Sequence, residues 1–162
     1  MPRGDEDLTE GLLNAFRLEK GAQAFYLAAS EKVQDKQGAA MFSKLAEVED
    51  KHMYNIYMLY TSLMGDRTPL PFEEFKSTMT GEFTESGRKI EAAVNDVSGR
   101  FFMDVKAVLL MALEEEKTAR EHYLRMADQA QDPGTSSLYR DLSEDEEKHI
   151  AMVQKALDQV GG

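Results

Sequence analysis

The sequence predicts an all-α protein, a four-helix bundle of two pseudo-symmetric helical hairpins joined by a long crossover. Three observations carry that prediction. Apolar residues recur at alternating spacings of three and four along four long stretches, the period of a helix with one buried face. Only 4 Pro and 11 Gly interrupt 162 residues otherwise rich in Ala, Leu, Met, Glu and Lys, which are strong helix formers. The two halves also align without a gap: Glu116 follows Glu19, and Glu146 follows Glu49, by the same interval (116 − 19 = 97 and 146 − 49 = 97).

The first helix is expected from Asp7 or Thr9 to about Val33, with Leu12, Ala15, Glu19, Ala22, Tyr26, Ala29 and Val33 on its inner stripe. Asp35-Lys36-Gln37-Gly38 reads as a turn. The second helix follows from about Ala39 to Met64, with Gly65 as its stop and Phe42, Leu45, Glu49, His52, Ile56, Leu59 and Leu63 inside. Met53, Tyr57 and Tyr60 form a second apolar strip that needs a cover, from another segment or another subunit. Residues 66–100 are less regular. Pro69 and Pro71 punctuate them, Phe72, Phe75 and Met79 suggest one short helix, and Ile90, Ala93, Val94 and Val97 suggest another. That length suits a crossover running along the tyrosine-rich side of the second helix. The third helix is expected from Asp104, as N-cap, to Ala130, with Val105, Leu109, Ala112, Glu116, Ala119, Tyr123, Met126 and Ala130 inside. After the Asp132-Pro133-Gly134 turn, the fourth is expected from about Ser136 to Val160, with Tyr139, Leu142, Glu146, His149, Val153, Ala156 and Val160 inside. Residues 1–162 read as one domain.

Each half thus places a Glu and a Glu-x-x-His on its core face: Glu19 with Glu49 and His52, and Glu116 with Glu146 and His149. In Glu-x-x-His the carboxylate and the imidazole are neighbours on one helix face, so one ion can touch both. The turns fall near the midpoints, residues 35 and 132, which brings all six side chains to one layer. That layer lies roughly 20 Å from the turns at ~1.5 Å per residue. Four uncompensated buried carboxylates would cost several kcal/mol each, and two cations remove that cost. Carboxylates plus one imidazole per ion suit iron or manganese, and zinc can occupy such a donor set.

The charge balance is 19 − 30 = −11, which argues against a nucleic-acid surface and against an anionic membrane. With no Cys, disulfides, zinc knuckles, iron–sulfur clusters and thiol catalysis are excluded. The acidic N-terminal stretch has no apolar signal core and no run reaches membrane-span length, so a cytoplasmic location is expected.

These residues carry a resemblance. Glu19 with Ala22 and Tyr26, Glu49-x-x-His52, Glu116 with Ala119 and Tyr123, and Glu146-x-x-His149 make the chain similar to the rubrerythrin-like branch of the ferritin-like superfamily, over both hairpins. The resemblance implies a non-haem di-iron protein with Glu19 and Glu116 as terminal ligands, Glu49 and Glu146 as bridges, and one His per ion. It implies reaction with peroxide or dioxygen, as a peroxidase- or ferroxidase-like oxidoreductase. An iron-sequestering protein that oxidises Fe(II), and a bundle whose metals are purely structural, are the competing readings. Three features depart from the family. There is no rubredoxin-like Cys₄ module, so electrons are expected from an external donor protein. Typical rubrerythrins have a further Glu one turn after the third-helix ligand, where this chain has Ala119, which leaves a more symmetric site. The sequence also ends after the fourth helix, without the fifth of cage-forming ferritins, so a storage shell is not expected.

Tyr26 and Tyr123 are expected either to hydrogen-bond ligand carboxylates or to serve as ordinary core aromatics. His122, which matches Phe25 in the other half, reads as a non-ligand. Glu47 and Glu144 read as solvated. Of the runs Glu114-Glu115-Glu116 and Glu144-Asp145-Glu146-Glu147, only Glu116 and Glu146 are expected inside. Met53, Tyr57 and Tyr60, together with Phe72, Phe75 and Phe83, would make either a homodimer face or internal packing.

Overall fold

The computed structural model describes residues 5–65, 68–79 and 105–161, and every element among them is a helix. These are α1 (Asp5–Lys32), α2 (Lys36–Met64), α3 (Phe72–Thr78), α4 (Val105–Gln129) and α5 (Pro133–Gly161). The expected short helix around Ile90, Ala93, Val94 and Val97, the Asp104 N-cap and Phe83 lie outside the described residues.

Two helices begin earlier than their apolar stripes suggest, because caps rather than stripes set helix ends. Asp35 accepts a hydrogen bond from the Gly38 N–H at 2.7 Å, so α2 starts at Lys36 and Gly38 lies inside the helix instead of in a turn. Gly38 is there for space: a Cβ would sit 2.7 Å from Cγ2 of Val105 on α4. Asp132 likewise accepts from the N–H and the hydroxyl of Thr135, at 2.8 and 2.9 Å. Pro133 is therefore the first residue of α5, a position where its missing N–H leaves no bond unmade. Gly65 ends α2 as expected, in the left-handed region at φ 66°, with its N–H on the Ser62 carbonyl.

α1 packs along α2, α4 packs along α5, and α2 meets α5 across the bundle. The apolar core divides in two. One cluster, with Tyr26, Phe42, Leu45, Leu109 and Val153, lies toward the α1–α2 turn. The other, with Leu12, Phe16, Ile56, Tyr123, Tyr139 and Leu142, lies toward the α4–α5 turn. The polar layer separates them. Leu63 and Val160, expected on inner stripes, are exposed; both lie in the last turn of their helices.

The strip of Met53 and Tyr57 is covered by the same chain. α3 lays Phe72 and Phe75 against Phe16 and Tyr57 in edge-on contacts of 5.1–6.3 Å, and the Tyr57 hydroxyl donates to the Leu70 carbonyl at 2.5 Å. Two lysines fasten this short helix at the level of the polar layer. Lys20, next to Glu19, donates to the Lys76 and Met79 carbonyls at the C-terminal end of α3, at 2.6 and 2.5 Å. Lys76 pairs with Asp50, next to Glu49, at 2.7 Å.

Candidate metal centre

All six side chains singled out from the repeat are buried and converge on one point of the bundle axis. α1 brings Glu19, α2 brings Glu49 and His52, α4 brings Glu116, and α5 brings Glu146 and His149. The two imidazoles stack across the centre, with ring centroids 5.7 Å apart and an interplanar angle of 22°.

The ligand atoms fall into two overlapping sets, each with its atoms within 4.8 Å of one another. One is Glu19, Glu49, His52 and Glu146; the other is Glu49, Glu116, Glu146 and His149. Glu49 and Glu146 belong to both. His52 Nδ1 faces Glu19 Oε2 at 3.2 Å and Glu49 Oε2 at 3.4 Å. His149 Nδ1 faces Glu116 Oε2 at 3.3 Å and Glu146 Oε2 at 3.7 Å.

Carboxylates this close and this dry do not all ionise. Burial acts to raise Glu19, but the adjoining His52 charge and the Tyr123 hydroxyl outweigh it and hold the carboxyl at about 2. Burial and the Glu19 charge instead push Glu49 well above the ordinary range. The second half repeats the division. Burial opposes ionisation of Glu116, yet the neighbouring Glu146 carboxyl, His149 and Tyr26 lower it, while burial and the Glu116 charge push Glu146 well up. His52 is raised: burial works against its charge, and Glu19 and Asp145 overcome it.

Several donor atoms of the layer remain without a partner. Both oxygens of Glu49, both of Glu146, Glu116 Oε2 and His149 Nδ1 are buried without a hydrogen-bond partner. Orphaned polar atoms of this kind cost about 1–3 kcal/mol each and call for an unseen partner. All of them are potential metal donors, and all face the same space, so the donor set fits two cations of the carboxylate–imidazole class.

The tyrosines act across the halves. Tyr26 on α1 donates to Glu116 Oε1 on α4, and Tyr123 on α4 donates to Glu19 Oε1 on α1 at 2.5 Å. Tyr26 stacks on Phe42, and Tyr123 stacks on Tyr139, the residue equivalent to Phe42 in the repeat (139 − 97 = 42). The Tyr139 hydroxyl is buried without a partner, and burial raises it to about 12. Gly11 lies beside it, where a Cβ would meet the hydroxyl at ordinary contact distance, 3.4 Å; the equivalent position on α4 is Val108 (108 − 97 = 11).

Two acids depart from expectation. Glu115 is buried, because it shares a helix face with Val108, Ala112 and Ala119, one and two turns away. Asp145 is only partly exposed and accepts from His52 Nε2 at 3.1 Å. It anchors the His52 imidazole, and it comes from 93 residues away in sequence. Glu47 and Glu144 are exposed as expected, and His122 lies beside Tyr123 outside both sets.

Two helical hairpins enclosing a buried carboxylate–imidazole layer form a bundle of the ferritin-like class. The sequence profile of the Rubrerythrin family matches residues 10–157, and the chain belongs to that family. No curated protein and no solved structure gives a significant match. Among the described residues no helix is long and apolar enough to cross a membrane.

Proposed function

We propose that this protein is a non-haem di-iron redox protein that reacts with peroxide or dioxygen, using electrons from an external donor. Glu19, Glu49, His52, Glu116, Glu146 and His149 would hold the ions, Glu49 and Glu146 being the carboxylates common to both donor sets and the two imidazoles presenting Nδ1. The observation that carries this reading is the set of orphaned donor atoms on Glu49 and Glu146, the two carboxylates common to both ligand sets.

The chain's own groups divide the work. Tyr123 and Tyr26 hold the terminal carboxylates by one oxygen, which leaves the other free to ligate. Glu49 and Glu146 carry no such tether, so both oxygens of each would be open to the ions. Their protons leave as the ions enter. The apolar clusters above and below keep water from the layer and hold the local dielectric low. A bound reduced iron pair would supply two electrons, which with two protons would take peroxide to water or dioxygen to peroxide, the external donor then restoring the pair; manganese fits the same donors.

The test is anaerobic loading with Fe(II), followed by peroxide or air. About two irons per chain, and oxidation faster than in buffer, are expected. Failure to bind two irons, or oxidation at the buffer rate, overturns the reading. Iron retained well above two per chain would mark a sequestering protein instead.

A further inference from the structure

The six ligands obey the repeat, but the groups that hold the two imidazoles do not. His52 points Nδ1 at the carboxylates and anchors Nε2 on Asp145 Oδ2 at 3.1 Å. Asp145 is itself steadied by Lys148, whose Nζ lies 3.4 Å from Oδ1. His149 turns Nδ1 inward in the same way, toward Glu116, Glu146 and Glu49 at 3.3, 3.7 and 3.9 Å. Among the described residues no acceptor meets its Nε2. The position equivalent to Asp145 in the first half is Val48 (145 − 97 = 48), which has nothing to offer an N–H.

A carboxylate on the outer nitrogen of a ligand imidazole fixes the tautomer that presents a lone pair to the metal. It also fixes the ring's orientation and makes the inner nitrogen more basic. Removing such a partner typically weakens metal binding about 10- to 100-fold. Among the described residues, one imidazole has that partner and the other does not.

We infer that the two metal positions are inequivalent, and that Asp145 is the positioning residue that makes the Glu19–Glu49–His52–Glu146 position the tighter one. A first divalent ion settles beside His52; the position beside His149 fills second and exchanges more readily. This inference rests on reading the layer as a two-metal site, and it adds an order of filling that the symmetric ligand set alone does not contain.

The chain has only three histidines, two of them in the site, so each ring can be followed separately. Metal-free protein with ¹⁵N-labelled imidazoles is titrated with Zn(II) and followed by NMR, with His52, His122 and His149 assigned by single substitutions. At one equivalent the His52 signals should have moved to their bound positions while those of His149 remain free, and the second equivalent should move His149. Asp145→Val should weaken the His52 position about 10-fold or more and abolish or reverse the order. Val48→Asp, which supplies the missing acceptor, should bring the two rings toward filling together. Circular dichroism confirms that each variant keeps its helices, and if Val48→Asp does not fold, Asp145→Val decides alone. Parallel filling in the unaltered protein, or an unchanged order in Asp145→Val, overturns the inference and leaves the two-metal reading standing. If neither ring responds to Zn(II), both fall together.

Discussion

The hydroxyl of Tyr123 lies 2.5 Å from Oε1 of Glu19, although 104 residues separate them in sequence. With its mirror, Tyr26 on Glu116, it stitches the first helix of each hairpin to the site built by the other. The docking of the hairpins and the orientation of the Glu19 and Glu116 carboxylates are thereby one interaction. Tyr123→Phe should therefore leave a buried ionised carboxylate short of a donor. It is expected to cost about 1.5–3 kcal/mol in the metal-free protein, and Tyr26→Phe a similar amount. Urea unfolding of both variants checks this; losses below about 0.5 kcal/mol would reduce the tyrosines to packing aromatics.

Metal-free stability should fall as pH rises. Glu49 and Glu146 have raised folded pKa values, so their contribution is complete below the ordinary value of 4.5 and is lost as pH rises through the folded values. His52, also raised, adds stability that is complete below its ordinary 6.5 and is lost on the same upward course. Glu19 runs the other way: its contribution is present above 4.5 and disappears as pH falls through about 2. The metal-free melting temperature should thus decline as pH rises above the ordinary carboxyl value of 4.5 toward the raised folded values, and bound metal should remove the decline. Calorimetric titration in buffers of different ionisation enthalpy should show protons released on metal binding, with affinity rising with pH. Binding without proton release would contradict the protonation pattern.

Replacing Glu49 and Glu146 together by Gln separates the demands of folding from those of the metal. The amides keep the shape, remove two acids that resist ionisation, and weaken any bridge. Metal-free stability is expected to hold or rise by about 1 kcal/mol, while metal stoichiometry falls below two per chain. Thermal melts with and without Fe(II) or Mn(II) measure both. Unfolding of the metal-free double variant would show that these carboxyls hold the bundle together without metal.

Tyr139→Phe should stabilise the protein. Its hydroxyl is buried without a partner, and the equivalent residue in the other half is already Phe42, stacked in the same manner on Tyr26. Removing an unsatisfied polar atom is expected to gain about 1 kcal/mol in urea unfolding. A loss instead would mean that the hydroxyl has a bound water.

How far the sequence carried depends on what each feature needed. The helices, the turns and the six inward side chains were legible because periodicity and the repeat are local or translational signals: Glu19 and Glu116 announce themselves by standing where Leu or Ala would. Their company was not legible. Asp145 sat inside an acidic run in which helix register alone marked only Glu146 as internal, and its partner His52 lies on the opposite hairpin. The sequence leaves the cover of Met53 and Tyr57 open between another segment and another subunit; the contacts of Phe72 and Phe75 with Tyr57 assign it to α3. Gly38 read as a breaker, because its reason for being Gly is the Val105 side chain of a helix far along the chain.

The sequence by itself determined the bundle, its two-fold repeat and the membership of the polar layer, because those follow from which residue types recur at helical spacing. Only the tertiary structure decided how the layer is held. Tyr26 and Tyr123 reach across the hairpins, α3 closes the tyrosine side, and Asp145 steadies one imidazole where the equivalent Val48 offers the other no carboxylate. A contact between helices is a property of two distant positions at once, and a repeat can conserve the ligands of a site while the residues behind them diverge.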